Sequence, residues 1–456
     1  MALCAVLSMT NAMNETRPSG VRMYFDATRL LSRGDATPTG IDRVDLAYVK
    51  ALSEMPNVDL RLVIFDVFGA KLLSRQQADG LIAAKTLQWL SAATAVPGSG
   101  PAFKSLVQWL GSPRGTQRPA LKVVAPEPSR SRPEESFWAK LKTVRDTLFM
   151  ERLRGRPPSV PSVYINTSHG RLYRKTVARW LNATRIGAVF FVHDLIPIDF
   201  PEFNRPQEPM RHAARLVTIS QYARRVLVNS EATQLSLADY LKGRQRRVPP
   251  ISVLPLGVES RFTRVEGLAE VQPAVPYFVV LGTIEPRKNH KLLLQAWMDW
   301  IASGDAAVPR LVVLGKRGWE NREVFKTLDE STALSGHVIE CSGLSDAEVG
   351  AVLRGARALL CPSLAEGFSL PVVEALALGT PVIASDIPVH REVAGPYAEY
   401  VSPFDAPGWL QVMKDYAMEN AQRREMKLRQ LPDFRPPDWE THLSMAKALL
   451  YEAAAN

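Results

Sequence analysis

Short apolar runs alternate with amphipathic stretches along most of the N-terminal half of the chain. Strand-like runs occupy residues 21–26, 61–66, 162–166, 186–192 and 253–257, and the stretches at 216–220 and 221–229 continue the alternation. Residues 40–52 carry apolar side chains at the spacing of a helix. Regular alternation of short strands with helices predicts an α/β domain built on a doubly wound parallel sheet.

The same scheme repeats in the C-terminal half. Strand-like runs lie at residues 277–284, 311–314, 338–341, 358–361 and 382–385. Prolines and polar residues interrupt the periodicity at 259–276, which we interpret as a linker. The predicted domains are an N-terminal domain at 21–262, with an insertion at about 92–161, and a C-terminal domain at 275–436. A disordered tail is expected at 1–20 and a final helix at 437–456.

The most informative motif is Glu366-Gly-Phe-Ser-Leu-Pro-Val-Val-Glu374, which follows an apolar strand. Pro371 suits the first position of a helix, where its missing N–H would be unpaired, and it disfavours a helical Leu370. The helix start can bind a diphosphate. We expect Glu374, in the first helical turn, to accept ribose hydroxyls. Glu366 is expected to bind a second sugar, with the loop residues Gly367, Phe368, Ser369 and Leu370 lining the donor site.

A second motif places two cations at a strand end. The run at 277–284 ends in Gly282 and Thr283, and the following turn carries Arg287 and Lys288. Ligands of open α/β folds bind at the carboxyl edge of the sheet, so these cations are suited to a phosphate. Together the two motifs predict a pocket for a nucleotide diphosphate sugar.

On these residues the chain resembles the retaining glycosyltransferases of family four, which have the two-Rossmann-domain GT-B architecture. The hallmark of that family is a pair of glutamates with seven residues between them, matched by Glu366 and Glu374. The Gly-Thr-x-Glu-Pro-Arg-Lys-Asn segment at 282–289 is similar to that of GDP-mannose-dependent mannosyltransferases of surface polysaccharide assembly. The resemblance is strong over residues 275–405 and patchy over the N-terminal half. It implies two Rossmann-like domains facing a cleft.

Further candidates follow from strand ends and from the resemblance. His193 ends the run at 186–192 and is expected in the cleft, where the resemblance implies contact with the donor sugar. Asp194 is expected to orient its ring, and His169 is a weaker second candidate. Gly40 corresponds to a glycine-bearing loop of the family, although the full Gly-Gly pair is absent. The nucleotide base is expected near two loops that carry Gly315, Lys316, Ser342 and Leu344.

Composition narrows the choice of function. The 456 residues include 46% hydrophobic and 22% charged residues, as in a soluble globular protein, and no run approaches the length of a membrane span. A signal peptide is not expected because the apolar start is short and has no basic leader. The odd set Cys4, Cys341 and Cys361 lacks metal spacing and predicts buried free thiols in a reducing cytosol.

The formal net charge of +10 raises the possibility of a nucleic-acid partner. The excess lies in the N-terminal half, where residues 111–156 hold 11 Lys and Arg against 5 Asp and Glu, and residues 205–247 hold 9 against 3. Neither region has stacking aromatics or a nucleic-acid module, so no nucleic acid is expected. An anionic membrane surface or a diphosphate-lipid acceptor explains the asymmetry better, with a merely solvated surface as the alternative.

The sequence therefore predicts a metal-independent, retaining hexosyltransferase. No Asp-x-Asp triplet is present, so Arg287 and Lys288 are expected to replace a metal at the leaving diphosphate, and His193, Arg287, Lys288 and Glu366 are the catalytic candidates. The resemblance implies attack on the face of the leaving group, with the donor phosphate accepting the proton. The expected reaction transfers mannose from GDP-mannose to a lipid-linked or polysaccharide glycan at the cytoplasmic face of the membrane.

Alternatives remain open at this point. Within the class, the donor could be UDP-glucose or a deoxysugar nucleotide, and the acceptor could be soluble. A non-catalytic sugar-nucleotide-binding protein would keep the same pocket. A nicotinamide oxidoreductase is disfavoured because no Gly-x-Gly-x-x-Gly follows the first strand.

Overall fold

The computed structural model describes residues 20–34, 38–91, 100–121, 151–153, 155–263 and 271–455. The tail expected at 1–20 lies, apart from Gly20, outside the described residues, as do Cys4 and much of the insertion expected at about 92–161. The described strands form two sheets. Each sheet belongs to one of the two predicted α/β domains, while the domain limits themselves stay predictions.

The first sheet has the order β4-β3-β2-β1-β5-β6-β7-β8. Its strands are β1 Val21–Asp26, β2 Val58–Asp66, β3 Gly69–Leu72, β4 Glu151–Arg152, β5 Ser162–Asn166, β6 Gly187–Val192, β7 Ala223–Val228 and β8 Ile251–Val253. Strands β2, β1 and β5 to β8 are parallel, whereas β3 and β4 pair antiparallel at the edge. Met23 and Phe25 join one buried cluster and Tyr24 joins another, so both faces of the sheet are covered.

The second sheet is parallel throughout and has the order β11-β10-β9-β12-β13-β14. Its strands are β9 Tyr277–Leu281, β10 Arg310–Leu314, β11 Val338–Cys341, β12 Leu359–Cys361, β13 Val382–Ser385 and β14 Ala398–Val401. The strand order reverses between β9 and β12, which is the switch point where ligands bind in doubly wound folds. The predicted fold class is confirmed.

Helices connect the strands of both sheets. They are α1 Thr28–Ser32, α2 Gly40–Ser53, α3 Arg75–Ser91, α4 Pro101–Leu110, α5 Lys175–Thr184, α6 Ile196–Asp199, α7 Glu208–Tyr222, α8 Glu231–Gly243, α9 Ser260–Thr263, α10 His290–Ala302, α11 Arg322–Glu330, α12 Asp346–Arg354, α13 Leu370–Ala377, α14 Pro388–Ala394, α15 Ala406–Ala417, α16 Gln422–Gln430 and α17 Trp439–Ala455. Short 3-10 turns lie at Pro201–Phe203, Pro286–Lys288, Gly395–Tyr397 and Leu431–Asp433. Across the described ranges, no helix is both long enough and apolar enough to cross a bilayer.

The prediction of a strand at residues 216–220 is wrong. These residues form the end of α7, and the strand β7 begins only at Ala223. Leu216 and Ile219 are both fully buried and lie three residues apart, which places them on one face of a helix. A short apolar run has no periodicity of its own strong enough to separate the two structures.

The last helix crosses back to the first domain. His442 in α17 donates from Nδ1 to the carbonyl of Pro255 at 2.8 Å, and its Nε2 accepts from the Tyr48 hydroxyl at 2.9 Å. Arg224 in β7 donates to the Ala453 carbonyl at 2.7 Å. These contacts dock the predicted final helix on the first domain.

Residues 100–121, here called the clasp, belong to the insertion in the first domain but dock on the second. Arg310, at the start of β10 and 1% exposed, lies 4.3 Å from the Trp109 ring centroid. Its guanidinium donates to the carbonyls of Trp109 and Pro113. Arg114 donates in turn to the Val308 carbonyl at 2.6 Å. The clasp therefore packs against the second domain, although its residues belong to the insertion in the first domain.

Replacing Arg310 by alanine should loosen the clasp. The change leaves buried carbonyls of Trp109 and Pro113 without a donor and removes the stacking on Trp109, effects of about 1 to 3 kcal/mol each. We expect the thermal midpoint of the second domain to fall by on the order of 5 °C. Scanning calorimetry with Arg310→Lys, which keeps the charge but loses the fork, should show an intermediate loss. An unchanged midpoint in Arg310→Ala would show that the clasp adds no stability.

Candidate active site

The candidate site lies at the carboxyl edge of the second sheet, across the switch point between β9 and β12. Gly282 follows β9 with φ +140°, a conformation that disfavours other residues. A Cβ on Gly315, in the loop after β10, would lie 1.9 Å from the carbonyl oxygen of Gly282. Glycine at both positions lets the two loops touch through their backbones. The turn after β9 can then carry Arg287 and Lys288 towards the turn after β12.

Glu366 and the two cations form one ion-pair cluster. Glu366 Oε2 lies 2.7 Å from Arg287 Nη1, and Oε1 lies 2.5 Å from Lys288 Nζ and accepts from Ser363 Oγ at 2.7 Å. The Glu366 side chain is only 6% exposed. Burial alone would raise its pKa, but Arg287 and Lys288 hold the pKa well below its usual range. Arg287 Nε also pairs with Glu285 at 2.7 Å, so two cations and two carboxylates balance one another in this cluster.

The start of helix α13 differs in detail from the expectation. Ser369 precedes the helix in the left-handed conformation with φ 66°, Leu370 is the first helical residue and Pro371 the second. Glu374 is thus the fifth residue of the helix and lies in its second turn. Proline is still accommodated, because the first backbone N–H groups of a helix have no partner within it.

Glu374 is 7% exposed, and its carboxylate makes no side-chain hydrogen bond to the residues that the structure describes. Burial raises its pKa to about 7, against the attraction of Arg43 from the first domain. Arg43 and Arg261 both pair with Asp346, at 2.9 and 2.8 Å. Glu374 therefore lies beside a salt-bridge network that joins the two domains.

His193 of the first domain touches the Glu366–Glu374 motif through its backbone carbonyl, next to Gly367, and its role at the donor sugar stays a prediction. It follows β6, is 5% exposed, and its Nε2 donates to the Thr167 carbonyl at 2.6 Å. Burial lowers its pKa to about 4, so the ring is neutral at pH 7 and Nδ1 is left as an acceptor. The expectation that Asp194 orients this ring is wrong. The Asp194 carboxylate accepts instead from the backbone N–H of Ile196 at 3.1 Å, two residues along the chain.

The two domains touch at Gly367. A Cβ on Gly367 would lie 2.3 Å from the His193 carbonyl oxygen, so only glycine fits there. The Gly367 carbonyl accepts from Ser230 Oγ at 2.9 Å. Gly40, the first residue of α2, lies where a Cβ would be 3.5 Å from Leu370 Cδ1. The structure thus brings His193 and Gly40 to the Glu366–Glu374 motif.

Other predicted residues lie around this centre. A Cβ added to Gly318 would lie 2.8 Å from the Thr283 side chain, so Thr283 lies between two loops at the same edge of the sheet. Phe368 is buried in the main apolar cluster and supports the turn from below. Gly315, Lys316, Ser342 and Leu344 follow β10 and β11, on the side of β9 away from Glu366. Their assignment to a nucleotide base stays a prediction.

His169, the second candidate, packs against His193 with 5.4 Å between ring centroids. Its other neighbour is His212 in α7, at 5.6 Å. Burial holds the pKa of His169 well below its usual range. Sequence gave no reason to group His212 with the other two, because it lies within a helix rather than at a strand end.

Two buried groups near the site were not singled out from the sequence. The Thr167 hydroxyl donates to Asp45 at 2.6 Å, and burial raises the pKa of Asp45 to about 8. Cys361 Sγ lies 3.5 Å from His390 Nε2, and although burial opposes it, His390 lowers the pKa of this thiol to about 7. Neither pair has a sequence motif that could have revealed it.

Cys341 and Cys361 are buried free thiols, as predicted. Cys361, Glu366 and His390 also offer ligand atoms within 4.8 Å of one another, a grouping that the cysteine spacing did not indicate. Both oxygens of Glu366 are engaged by Arg287, Lys288 and Ser363. We therefore interpret this group as a hydrogen-bonded support for Glu366.

Comparison with known proteins finds a family match over part of the chain. Residues 270–425 match the model of the family "Glycosyl transferases group 1". The serotype-specific mannosyltransferase WbdA of Escherichia coli is 28% identical over 229 residues, which cover 47% of this chain and 28% of WbdA. The O-antigen chain mannosyltransferase RfbU of Salmonella typhimurium is 32% identical over 139 residues, or 30% of this chain and 38% of RfbU. The chain thus matches well under half the length of these relatives.

A solved structure extends the likeness to both domains. HepE of Anabaena, in complex with UDP-glucose, superposes with a TM-score of 0.56 over 94% of this chain and 99% of HepE, at 14% sequence identity. At this identity the likeness shows the fold. It confirms the predicted GT-B arrangement of two parallel-sheet domains.

The raised pKa of Glu374 predicts a pH-dependent stability. Its folded-state pKa of about 7 exceeds the ordinary value of 4.5, so the folded state binds the extra proton and stability falls as pH rises from 4.5 to 7. The loss amounts to roughly 3 kcal/mol above pH 7. Glu374→Gln should remove it.

Thermal midpoints of wild type and Glu374→Gln, compared from pH 4.5 to 8.5, measure this effect. The variant should gain several degrees relative to wild type as the pH rises, whereas Glu330→Gln, at an exposed position of α11, should run parallel to wild type. A Glu374→Gln curve that also ran parallel would contradict the assignment.

Proposed function

The chain carries a glycosyl transferases group 1 domain at residues 270–425, and on that ground we propose that it is a glycosyltransferase that transfers a hexose from a sugar nucleotide bound in the interdomain cleft. The observation that carries the proposal is the convergence of Arg287, Lys288 and Glu366 of the second domain with His193 of the first. Side chains suited to binding phosphate and side chains suited to binding sugar hydroxyls therefore line one cleft.

We assign the diphosphate to Lys288, Arg287 and the start of α13. Both cations can donate to phosphate oxygens, and the first N–H groups of a helix favour an anion. Glu374, at the domain junction, would accept the ribose hydroxyls. Because burial raises the pKa of Glu374, something must stabilise its carboxylate form when the donor binds. Hydrogen bonds from the ribose hydroxyls, or the charge of the nearby Arg43, would do so.

The donor sugar would lie between Glu366 and His193. Because Nε2 of His193 is committed to the Thr167 carbonyl, Nδ1 can only accept, and a sugar hydroxyl is a fitting donor. The neutral ring adds no charge to the first-domain wall. Glu366 would accept hydrogen bonds from sugar hydroxyls with the carboxylate lone pairs that Arg287 and Lys288 do not use.

For the reaction we propose retention of configuration by attack on the face of the leaving group. Glu366 is engaged by two cations and is a poor nucleophile, since its pKa lies well below the usual range. The leaving diphosphate would be stabilised by Arg287 and Lys288 and would take the proton of the acceptor hydroxyl. In this proposal Arg287 and Lys288 stabilise the leaving diphosphate in place of a metal ion.

We further propose mannose from GDP-mannose as the donor and a lipid-linked or polysaccharide glycan as the acceptor. The support comes from two relatives named as mannosyltransferases, of which RfbU is named for the O-antigen chain, and from the Arg287–Lys288 turn. UDP-glucose is the alternative donor. The reaction would take place at the cytoplasmic face of the membrane, with basic first-domain surfaces attracting the protein to anionic lipid.

A panel of sugar nucleotides tests the donor. GDP-mannose should raise the thermal midpoint by several degrees at concentrations well above its Kd and should be hydrolysed slowly without acceptor. UDP-glucose and deoxysugar nucleotides serve as competing donors. Stabilisation by UDP-glucose alone would replace the donor assignment, binding without turnover would favour a non-catalytic binding protein, and no binding by any member would refute the proposal.

Substitutions in the donor site test the roles of single residues. Lys288→Ala and Glu374→Ala should each slow transfer at least about a hundredfold, or roughly 3 kcal/mol, because both act on the donor. Lys291→Ala, three residues along and paired with Glu323 at the surface, should keep its activity. Circular dichroism should show that all three fold.

Adding EDTA to the wild-type assay tests the metal-free part of the proposal. Activity should persist. A loss restored only by magnesium or manganese would show that the leaving group depends on a metal.

A further inference from the structure

Three arginines surround one tyrosine in the first domain. The guanidinium carbons of Arg174, Arg211 and Arg215 lie 5.8, 5.7 and 5.6 Å from the centroid of the Tyr173 ring. We call these four residues the arginine cluster. Elsewhere in the described first domain, Tyr240 carries a single arginine, Arg244, at 5.4 Å. Stacking on a tyrosine ring therefore does not by itself explain why three arginines surround Tyr173.

Topology places the arginine cluster at the edge of the sheet that faces the cleft. Tyr173 and Arg174 lie between the end of β5 and the start of α5, while Arg211 and Arg215 lie in the first half of α7, which follows β6 and α6. Both sets are thus near the carboxyl ends of parallel strands, the same edge that carries His193.

Asp194 links the cluster to the donor pocket. Burial raises the pKa of Asp194, and its carboxylate interacts electrostatically with Arg287 and Glu366 of the second domain and with Arg215 of the cluster. His212, between Arg215 and His169, has ring contact with His169, which in turn contacts His193. The cluster therefore borders the place where the donor sugar would lie.

The positive charge of the cluster is poorly compensated. Glu208 pairs with Arg215 at 2.5 Å, whereas Arg211 donates to the neutral amide of Gln207 at 2.7 Å. Three cations thus face one carboxylate within hydrogen-bonding distance. Nε of Arg215 is also buried without a partner in the described part of the chain. Buried donors without an acceptor are costly, so a ligand with several acceptor oxygens fits this place.

We propose that the arginine cluster binds a phosphoryl group of the acceptor. The inference rests on the proposed function, because it assigns the substrate class of the second half of the same cleft. Arginines recognise phosphate through paired N–H donors, and three around one ring can enclose a phosphate or diphosphate. The donor diphosphate is an unsuitable ligand for them, since Arg287 and Lys288 already serve it from the second domain.

This site has a mechanistic consequence. An acceptor held by its phosphoryl group near α5 and α7 would present its sugar hydroxyls towards His193 and the donor. The distance from phosphate to reacting hydroxyl would then be fixed by the acceptor itself. Acceptors without a phosphoryl group should bind weakly even when the hydroxyl is identical.

Titration of inorganic pyrophosphate into the full-length protein tests the site. Lys288→Ala is the background, so that the donor site contributes less to the signal. Adding Arg174→Ala and Arg211→Ala together should weaken the remaining pyrophosphate binding by on the order of a hundredfold, about tenfold for each arginine. Arg244→Ala is the matched control and should bind as the background does. Equal pyrophosphate binding in all variants would overturn the proposal.

A second measurement separates this proposal from the proposed function. With Lys288 intact, the double variant Arg174→Ala/Arg211→Ala should bind and hydrolyse the sugar nucleotide as wild type does. Loss of pyrophosphate binding with normal donor hydrolysis supports the acceptor site. Loss of donor binding as well would show that the arginines serve the donor and would overturn it. If no sugar nucleotide binds even to wild type, the proposed function fails while the pyrophosphate result still stands.

Vesicles distinguish the two sources of the phosphoryl group. Co-sedimentation with phosphatidylglycerol vesicles, against neutral phosphatidylcholine vesicles, is run on the same variants. Parallel loss of pyrophosphate and vesicle binding would place the phosphoryl group on a lipid, and loss of pyrophosphate binding alone would place it on a soluble acceptor. Loss of vesicle binding alone would overturn the proposal, because the arginines would then serve the membrane surface.

Discussion

The ionised carboxylate of Glu366, buried in the turn after β12, is the constraint on which the site depends. An unpaired carboxylate in that position would cost several kcal/mol. Arg287, Lys288 and Ser363 offset this cost, and to do so the turn after β9 must reach across the switch point. Gly282 with its positive φ and Asn289, whose amide donates to the Pro362 carbonyl at 3.2 Å, hold that turn. The position of both cations therefore follows from Glu366.

The two walls of the cleft offer different kinds of polar group. The second-domain wall holds Arg287 and Lys288, balanced by Glu366 and Glu285. On the first-domain wall His193 is neutral, because burial lowers its pKa, and the Thr167 carbonyl fixes its tautomer. In the proposed reaction the acceptor nitrogen of His193 suits a sugar hydroxyl, while Arg287 and Lys288 serve the diphosphate.

Much of this could be predicted from local sequence, and the rest depends on contacts between distant residues. The strands and the Glu366–Glu374 motif follow from apolar runs, a turn glycine and a helix-starting proline. By contrast, the pairing of Glu366 with Lys288 joins residues 78 positions apart. The tautomer of His193 depends on Thr167, and the docking of the clasp depends on Arg310. The short run at 216–220 was misread because only pairing with β6 distinguishes strand β7 from the helix before it.

The interface between the domains combines apolar and polar contacts. One buried apolar cluster contains Phe262 of the first domain and Phe368 and Val372 of the second. The clasp is bound to the second domain through Arg310 and Arg114, and α17 to the first through His442.

The polar contacts between the domains are Arg43 and Arg261 on Asp346, and Glu392 accepting from the N–H groups that begin α8. Partly exposed pairs of this kind contribute about 0 to 1 kcal/mol each. Burial of the shared apolar cluster therefore supplies most of the free energy that holds the two domains together, and the ion pairs set how the walls of the cleft face each other.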